Sequence, residues 1–268
     1  MDKVSLKEFT LDNKKFIFIG GLHRSGTSLI HEIMKSHDLI SGFHGTGVPE
    51  DEGQHLQSVY PTAKFFGGPG KFGFNTKSHM DELHPLATQE SADKLFDEWS
   101  RYWDLSSEFL IEKSPPNIVR TRFLQKLFPN TYFIISFRHP IVVAYATQKW
   151  AKKMDILDLI EHSIICYEKF KDDLPFLQKS YVFRYENFVA DPQNVMNEIY
   201  DFIGTHSATL NKDVRNNVNQ SYLQQWNEDR INKKFSKFIS LFEDRTRMLG
   251  YSLNDPEKFP PVDFLKNK

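Results

Sequence analysis

The sequence predicts an α/β fold in which a parallel sheet carries helices on both faces. Two observations predict it. Short apolar runs of strand length alternate with longer patterns of helical period along the chain. The first run enters a glycine-rich turn and then a helix start, in "FIFIGGLHRSGTSLIHEIM" from Phe16 to Met34. Parallel neighbours need crossover connections, and the crossover helices cover both faces of the sheet.

In chain order, "KFIFIG" reads as a buried strand from its length and glycine flank, and "GTSLIHEIMKSH" as the helix after it. "LISGF" is a short strand, and a second helix is expected to open at the acidic cluster "PEDEGQH". Residues 61–86 hold most of the local glycine, proline and phenylalanine. They are expected to form a long irregular insertion, a lid over an acceptor site. "TQESADKLFDEWSRYWDL" is an amphipathic helix whose aromatics belong to the core. "EFLIEKSPPN" is a strand halted by two prolines. "NIVRTRFLQKLFP" is a helix, and "TYFIISFRHP" is a strand ending in Arg138. Helices follow in "IVVAYATQKWAKKM" and "DILDLIEHSIICYEKFKDDL". "SYVFRYENF" is a strand running into a turn, and "DPQNVMNEIYDFIG" is a helix stopped by Gly204. The C-terminal part is helical, ending in "FSKFISLFEDRTRMLGYS".

The length of 268 residues suits one domain spanning residues 1–268. A net charge of −1 speaks against a surface that binds nucleic acid or anionic membrane, so any anion site must be a local cluster. The one cysteine, Cys166, excludes an intrachain disulfide and reads as a buried, inert thiol. No signal-peptide pattern and no run approaching ~18 apolar residues is present, so the expected location is the cytoplasm. The ten histidines show no metal-ligand spacing. Oligomeric state is not encoded in any of these features.

The first turn carries the chemistry. Gly21 and Gly26 bracket four residues and Ser28 takes the place of the last hydroxyl, nearly the spacing of a nucleotide phosphate loop. The fold class is therefore P-loop-NTPase-like. The loop lysine is absent, however, and Thr27 stands in its position. Backbone N–H groups and a helix N-terminus favour an anion there, and Arg24 adds a fork of donors suited to phosphate or sulfate. A nucleoside-triphosphate hydrolase also needs an acidic residue on a neighbouring strand for magnesium. The best neighbouring strand ends in Arg138 instead. The pattern points to two separate anionic groups and no metal.

These residues resemble a family. "GLHRSGTSL" looks like the 5′-phosphosulfate loop of the sulfotransferases, and "FRHPIVVAYATQKW" resembles their 3′-phosphate element. "EKSPPN", "FRYENFVADP" and "VNQSYLQQW" resemble segments of the tyrosylprotein-sulfotransferase-like branch, here in a bacterial-type member. The resemblance implies 3′-phosphoadenosine 5′-phosphosulfate as donor and the 3′,5′-bisphosphate as product, with no metal. It implies that Arg24, Ser25, Gly26, Thr27 and Ser28 hold the 5′-phosphosulfate and Arg138 the 3′-phosphate. Tyr185 would lie by the adenine, and Lys113 near the transferred group. The family's serine eight residues after the arginine is Ala146 here, so Thr147 is the expected substitute. Gln224 and Gln225 stand before Trp226 where the animal protein-tyrosine enzymes have lysines, which argues against that specificity.

The acceptor is expected to be a hydroxyl on a glycan, lipid or small metabolite, and its proton needs a base. Glu52 matches the branch's glutamate best and Glu50 second, in a cluster with Asp51 and His55. Three neighbouring carboxylates are expected to raise one another's pKa. Local alternatives are a dipole-favoured acidic turn, a solvated Lys113, an Arg138 paired with a helix acid, a structural His139 and a core Tyr185. A magnesium-dependent small-molecule kinase with an atypical loop is the alternative function. A binding protein without a base is the third.

Overall fold

The computed structural model describes residues 14–215 and 218–265. Five strands form its sheet: β1 (Lys15–Gly21), β2 (Ile40–Gly42), β3 (Phe109–Lys113), β4 (Thr131–Phe137) and β5 (Ser180–Arg184). Their order is β2-β3-β1-β4-β5, and every pairing is parallel. Side chains alternate along β1. Phe16 and Phe18 enter one core with Phe133, Ile135 and Phe137, while Ile17 and Ile19 enter the other with Tyr132 and Ile134. Helices α1 (Thr27–Met34), α6 (Tyr185–Ala190) and α7 (Pro192–Ile203) cover the isoleucine face. The phenylalanine face is covered by α2 (Gln89–Ser100), α3 (Thr121–Leu127), α4 (Pro140–Gln148), α5 (Ile156–Asp173), α8 (Gln220–Asp229) and α9 (Lys233–Arg247). The aromatic run around Trp99 and Trp103 is core, as its sequence indicated.

Helix limits follow local chemistry. The side chains of Thr88, Asp155 and Asp191 accept N–H groups at the starts of α2, α5 and α7, and Gly204 ends α7 at φ 79°. The helix expected at the acidic cluster does not form. Pro49–Asp51 and Gly53–His55 are short 3-10 turns, with Glu50 and Asp51 both left-handed at φ 54° and 48°. Two such residues in a row cannot continue an α-helix.

The 61–86 insertion is irregular, built from short 3-10 turns, and it is anchored at several points. Phe66, Phe72 and Met80 are buried in the core. The Gly73 N–H donates to His162 Nε2 at 3.1 Å, and His79 Nε2 meets Asp173 Oδ2 at 2.8 Å. Arg122 clasps Glu82 with Nε and Nη2 at 2.6 and 2.5 Å.

Register sets the site. Ile19 pairs with Lys113, Gly21 with Ser136 and Phe137 with Arg184. The glycine loop, Lys113, Arg138 and Tyr185 therefore leave the same carboxyl edge of the sheet, where ligands bind in open α/β sheets. Among the described residues no helix is long and apolar enough to cross a membrane.

Phe18 packs against Trp99, Phe128 and Phe133 with ring centroids 6.1, 5.4 and 6.0 Å away. Phe18→Ala should cost about 3–5 kcal/mol, read in urea as a lower midpoint at unchanged slope.

Candidate active site

The loop from Gly20 to Ser28 is held in shape by the hydroxyls of Ser25 and Ser136. Ser25 turns inward: its hydroxyl donates to the Leu22 carbonyl at 2.7 Å and accepts the Leu22 N–H at 3.0 Å. Ser136 Oγ donates to the Ser25 carbonyl at 2.7 Å. Ser25 thus shapes the loop, and its hydroxyl is taken up there. Gly26 sits at φ 90°, and a Cβ on it would lie 2.5 Å from the Tyr185 ring. Gly26 is also the N-cap of α1, which has no side-chain cap. The orphan N–H groups of a helix start therefore stand beside Thr27 and Ser28. Arg24 is left-handed at φ 70° and exposed, with its guanidinium 5.0 Å from the Trp150 ring centre.

A cleft of about 620 Å³ opens over this loop. Arg24, Gly26, Thr27, Ser28, Arg138 and Tyr185 line one part of it, with Glu50, Glu52, Gln54, His55 and Pro115 facing them. Ala63, Lys64, Gly68 and Pro69 bring the 61–86 insertion into its wall. Phe65, Phe66, Phe72 and Phe74 do not line it, so the insertion offers no phenylalanine ring for stacking there.

Lys113 is 0% exposed at the end of β3, so it is not a solvated lysine. Its Nζ donates to the Glu50 carbonyl at 2.8 Å and lies 3.4 Å from Glu52 Oε1. Gln54 Nε2 donates to the other Glu52 oxygen at 2.5 Å, and His55 Nε2 stands 3.8 Å from it. The acidic cluster does not share one environment. The Asp51 carboxylate accepts N–H groups from Gly45 and Thr46 and the Thr46 hydroxyl. Burial alone would raise its pKa, but those hydrogen bonds outweigh burial and lower it. Asp51 is a loop tie, Glu50 presents its carbonyl to Lys113, and Glu52 presents its carboxylate.

Arg138 is buried, and burial lowers its pKa. It pairs with no helix acid. Nε and Nη2 point at Asn219 Oδ1, and Nη1 donates to the Arg24 carbonyl at 2.6 Å. The guanidinium lies 4.3 Å from the Tyr185 ring centre. His139 is structural: Nδ1 accepts the Ile141 N–H, and Nε2 meets the Ser252 carbonyl at 3.2 Å.

Thr147 does not join the cleft. It is buried and lines a separate small cavity with Leu159, His162 and Ser163. Cys166 is buried, and burial pushes its thiol pKa up.

The structure adds residues that no local pattern marked. His23 lines the cleft with Nδ1 buried and without a hydrogen-bond partner, and burial, then Lys113 and His55, push its pKa down to about 3. Glu112 is fully buried beneath the acidic turn. It accepts the Gly53 N–H at 3.0 Å, the Ser114 hydroxyl at 2.6 Å and the Asn117 amide at 2.6 Å. The one metal-like grouping among the described residues is the neighbouring pair His37 and Asp38 with the sequence-distant His206. His37 Nδ1 accepts the Leu39 N–H, so Nε2 must donate to the His206 carbonyl, and both ring nitrogens are engaged.

A glycine loop without a lysine, on a parallel sheet with cationic strand ends, is an arrangement suited to a group-transfer enzyme. The sulfotransferase family model matches residues 17–208, and the chain belongs to that family: it is a sulfotransferase. A crystal structure of a sulfotransferase from Alicyclobacillus acidocaldarius shares the fold, with a TM-score of 0.51 at 16% identity over 86% of this chain and 95% of that one. The sulfotransferase domain from the curacin biosynthetic pathway aligns at TM-score 0.48 and 16% identity, over 85% and 97% of the two chains. That from the Synechococcus PCC 7002 olefin synthase aligns at 0.48 and 18%, over 73% and 74%. A comparison with curated protein sequences finds no match.

Burial pushes the Glu112 pKa up to about 7, against lowering by Ser114, Asn117 and Lys113. The folded carboxyl thus keeps its proton to higher pH than an unfolded one near 4.5. The stability this brings is full below that pH and is lost as pH rises through about 7. Glu112→Gln stays neutral throughout. The stability of wild type relative to this variant should fall by about 3 kcal/mol across that window, measured by urea unfolding at a series of pH values. A flat difference contradicts the assignment.

Proposed function

We propose that this sulfotransferase takes its sulfuryl group from 3′-phosphoadenosine 5′-phosphosulfate and passes it to a hydroxyl of a glycan, lipid or small metabolite. One observation carries the donor: a single cleft holds two anion cradles, the Gly26–Ser28 helix start with Arg24 and the buried Arg138 guanidinium, with Tyr185 packed against both. The residues fit such a ligand. Gly26 leaves room only for hydrogen, and the uncapped start of α1 lacks partners for its N–H groups. Thr27 and Ser28 add hydroxyls. The bound donor supplies a sulfuryl group to the acceptor oxygen and leaves as the 3′,5′-bisphosphate.

Arg24 and the loop N–H groups hold the 5′ end, Arg138 holds the 3′-phosphate and Tyr185 borders the base. Glu52 takes the acceptor proton at a carboxylate oxygen, and Lys113 beside it offsets negative charge near the reacting oxygens. Gln54 fixes the Glu52 rotamer. Residues 61–86 form the acceptor wall within one domain of residues 1–268. Gln224 and Gln225 speak against a protein-tyrosine acceptor.

Calorimetric titration tests the donor. The 3′,5′-bisphosphate should bind without magnesium and more tightly than 5′-AMP or magnesium-ATP, and Arg24→Ala and Arg138→Ala should each weaken it about 100-fold. Preference for magnesium-ATP would favour a kinase instead. Once an acceptor is identified, Glu52→Gln should lower kcat by about 10²–10⁴-fold while bisphosphate affinity holds. Unchanged turnover would move the base to Glu50.

A further inference from the structure

Arg138 is set from behind. A guanidinium has five N–H donors. Three of those on Arg138 point at protein oxygens: Nε and Nη2 at Asn219 Oδ1, at 3.2 and 2.5 Å, and Nη1 at the Arg24 carbonyl, at 2.6 Å. Two remain for a ligand in the cleft. The Asn219 amide has only one workable orientation. Its Nδ2 donates to Glu186 Oε1 at 3.1 Å, so its oxygen faces Arg138. The reverse orientation would set amide N–H against guanidinium N–H and amide oxygen against carboxylate.

Glu186 is itself anchored. Oε1 also accepts the His139 N–H at 3.0 Å, and Oε2 accepts the Tyr251 hydroxyl at 3.2 Å. One carboxylate thus ties the residue after Arg138, the start of α8 and the C-terminal segment. The chain of contacts runs Glu186, Asn219, Arg138, Arg24 carbonyl, and it joins the strand-end cation to the glycine loop. Neither Glu186 nor Asn219 lines the cleft.

We infer that Asn219, oriented by Glu186, is a positioning residue that aims the free N–H groups of Arg138 into the cleft and fixes their span from the loop. It thereby sets how strongly the site prefers a nucleotide bearing a 3′-phosphate. The inference rests on the donor proposed above. Its readout is a ratio: the affinity for the 3′,5′-bisphosphate over that for 5′-AMP, by calorimetry on the full chain, with Tm measured alongside. Asn219→Ala should lower the ratio about tenfold or more and leave 5′-AMP affinity unchanged. Asn219→Ser, which keeps a hydroxyl that can donate toward Glu186 but is too short to reach Arg138, should lower it to a similar extent. It decides the question if the alanine variant fails to fold. A wild-type ratio kept in both variants overturns the inference. So does a parallel loss of both nucleotides, which is loss of structure rather than of aim. A ratio near one in the wild type overturns the donor reading first.

Discussion

A fully enclosed ammonium needs polar partners of its own, and the Lys113 side chain imposes that constraint on the acidic segment opposite it. It ends β3 with no exposure, and its partners come from a segment some sixty residues earlier, the Glu50 carbonyl and the Glu52 carboxylate. To bring both to one nitrogen, the 49–55 segment takes two left-handed residues and two 3-10 turns in place of a helix. The strain at Glu50 and Asp51 is offset by the ties around it. Asp51 binds Gly45 and Thr46, Glu112 binds the Gly53 N–H, and Trp99 Nε1 donates to the Gly53 carbonyl at 3.0 Å.

The glycine loop obeys a different constraint. Anion binding needs unpaired N–H groups, and such groups survive only where the backbone is barred from satisfying itself. Gly26 does this with a left-handed turn that no side chain caps. Ser25 and Ser136 brace the loop from below. Arg138 joins the loop through the Arg24 carbonyl. Adjacent strands β3, β1 and β4 hold the cations and the loop at one level because their register is fixed by parallel pairing.

Much of this was legible in the chain. The alternation of strands and helices, the loop, Lys113 and Arg138 are local signals, each carried by residues next to one another in sequence. The helix expected at the acidic cluster was not legible as turns, because nothing nearby in sequence shows that Lys113 will pull on residues 50 and 52. The placement of Thr147 off the cleft was not legible either. Its side chain packs beside Leu159, His162 and Ser163 of α5, a contact that no short pattern along the chain marks.

The sequence by itself determined the strand–loop–helix order, the missing loop lysine and the cationic strand ends. These depend on residue type and short-range period, which a chain displays without folding. Only the tertiary structure decided which carboxylate meets Lys113, that Asp51 is a loop tie, and that Glu186 and Asn219 stand behind Arg138. Apart from the Asp51 tie, these are contacts between residues 33, 61 and 81 positions apart. Hydrogen bonding and charge pairing act over a few ångströms of space, and no pattern along the chain encodes that proximity.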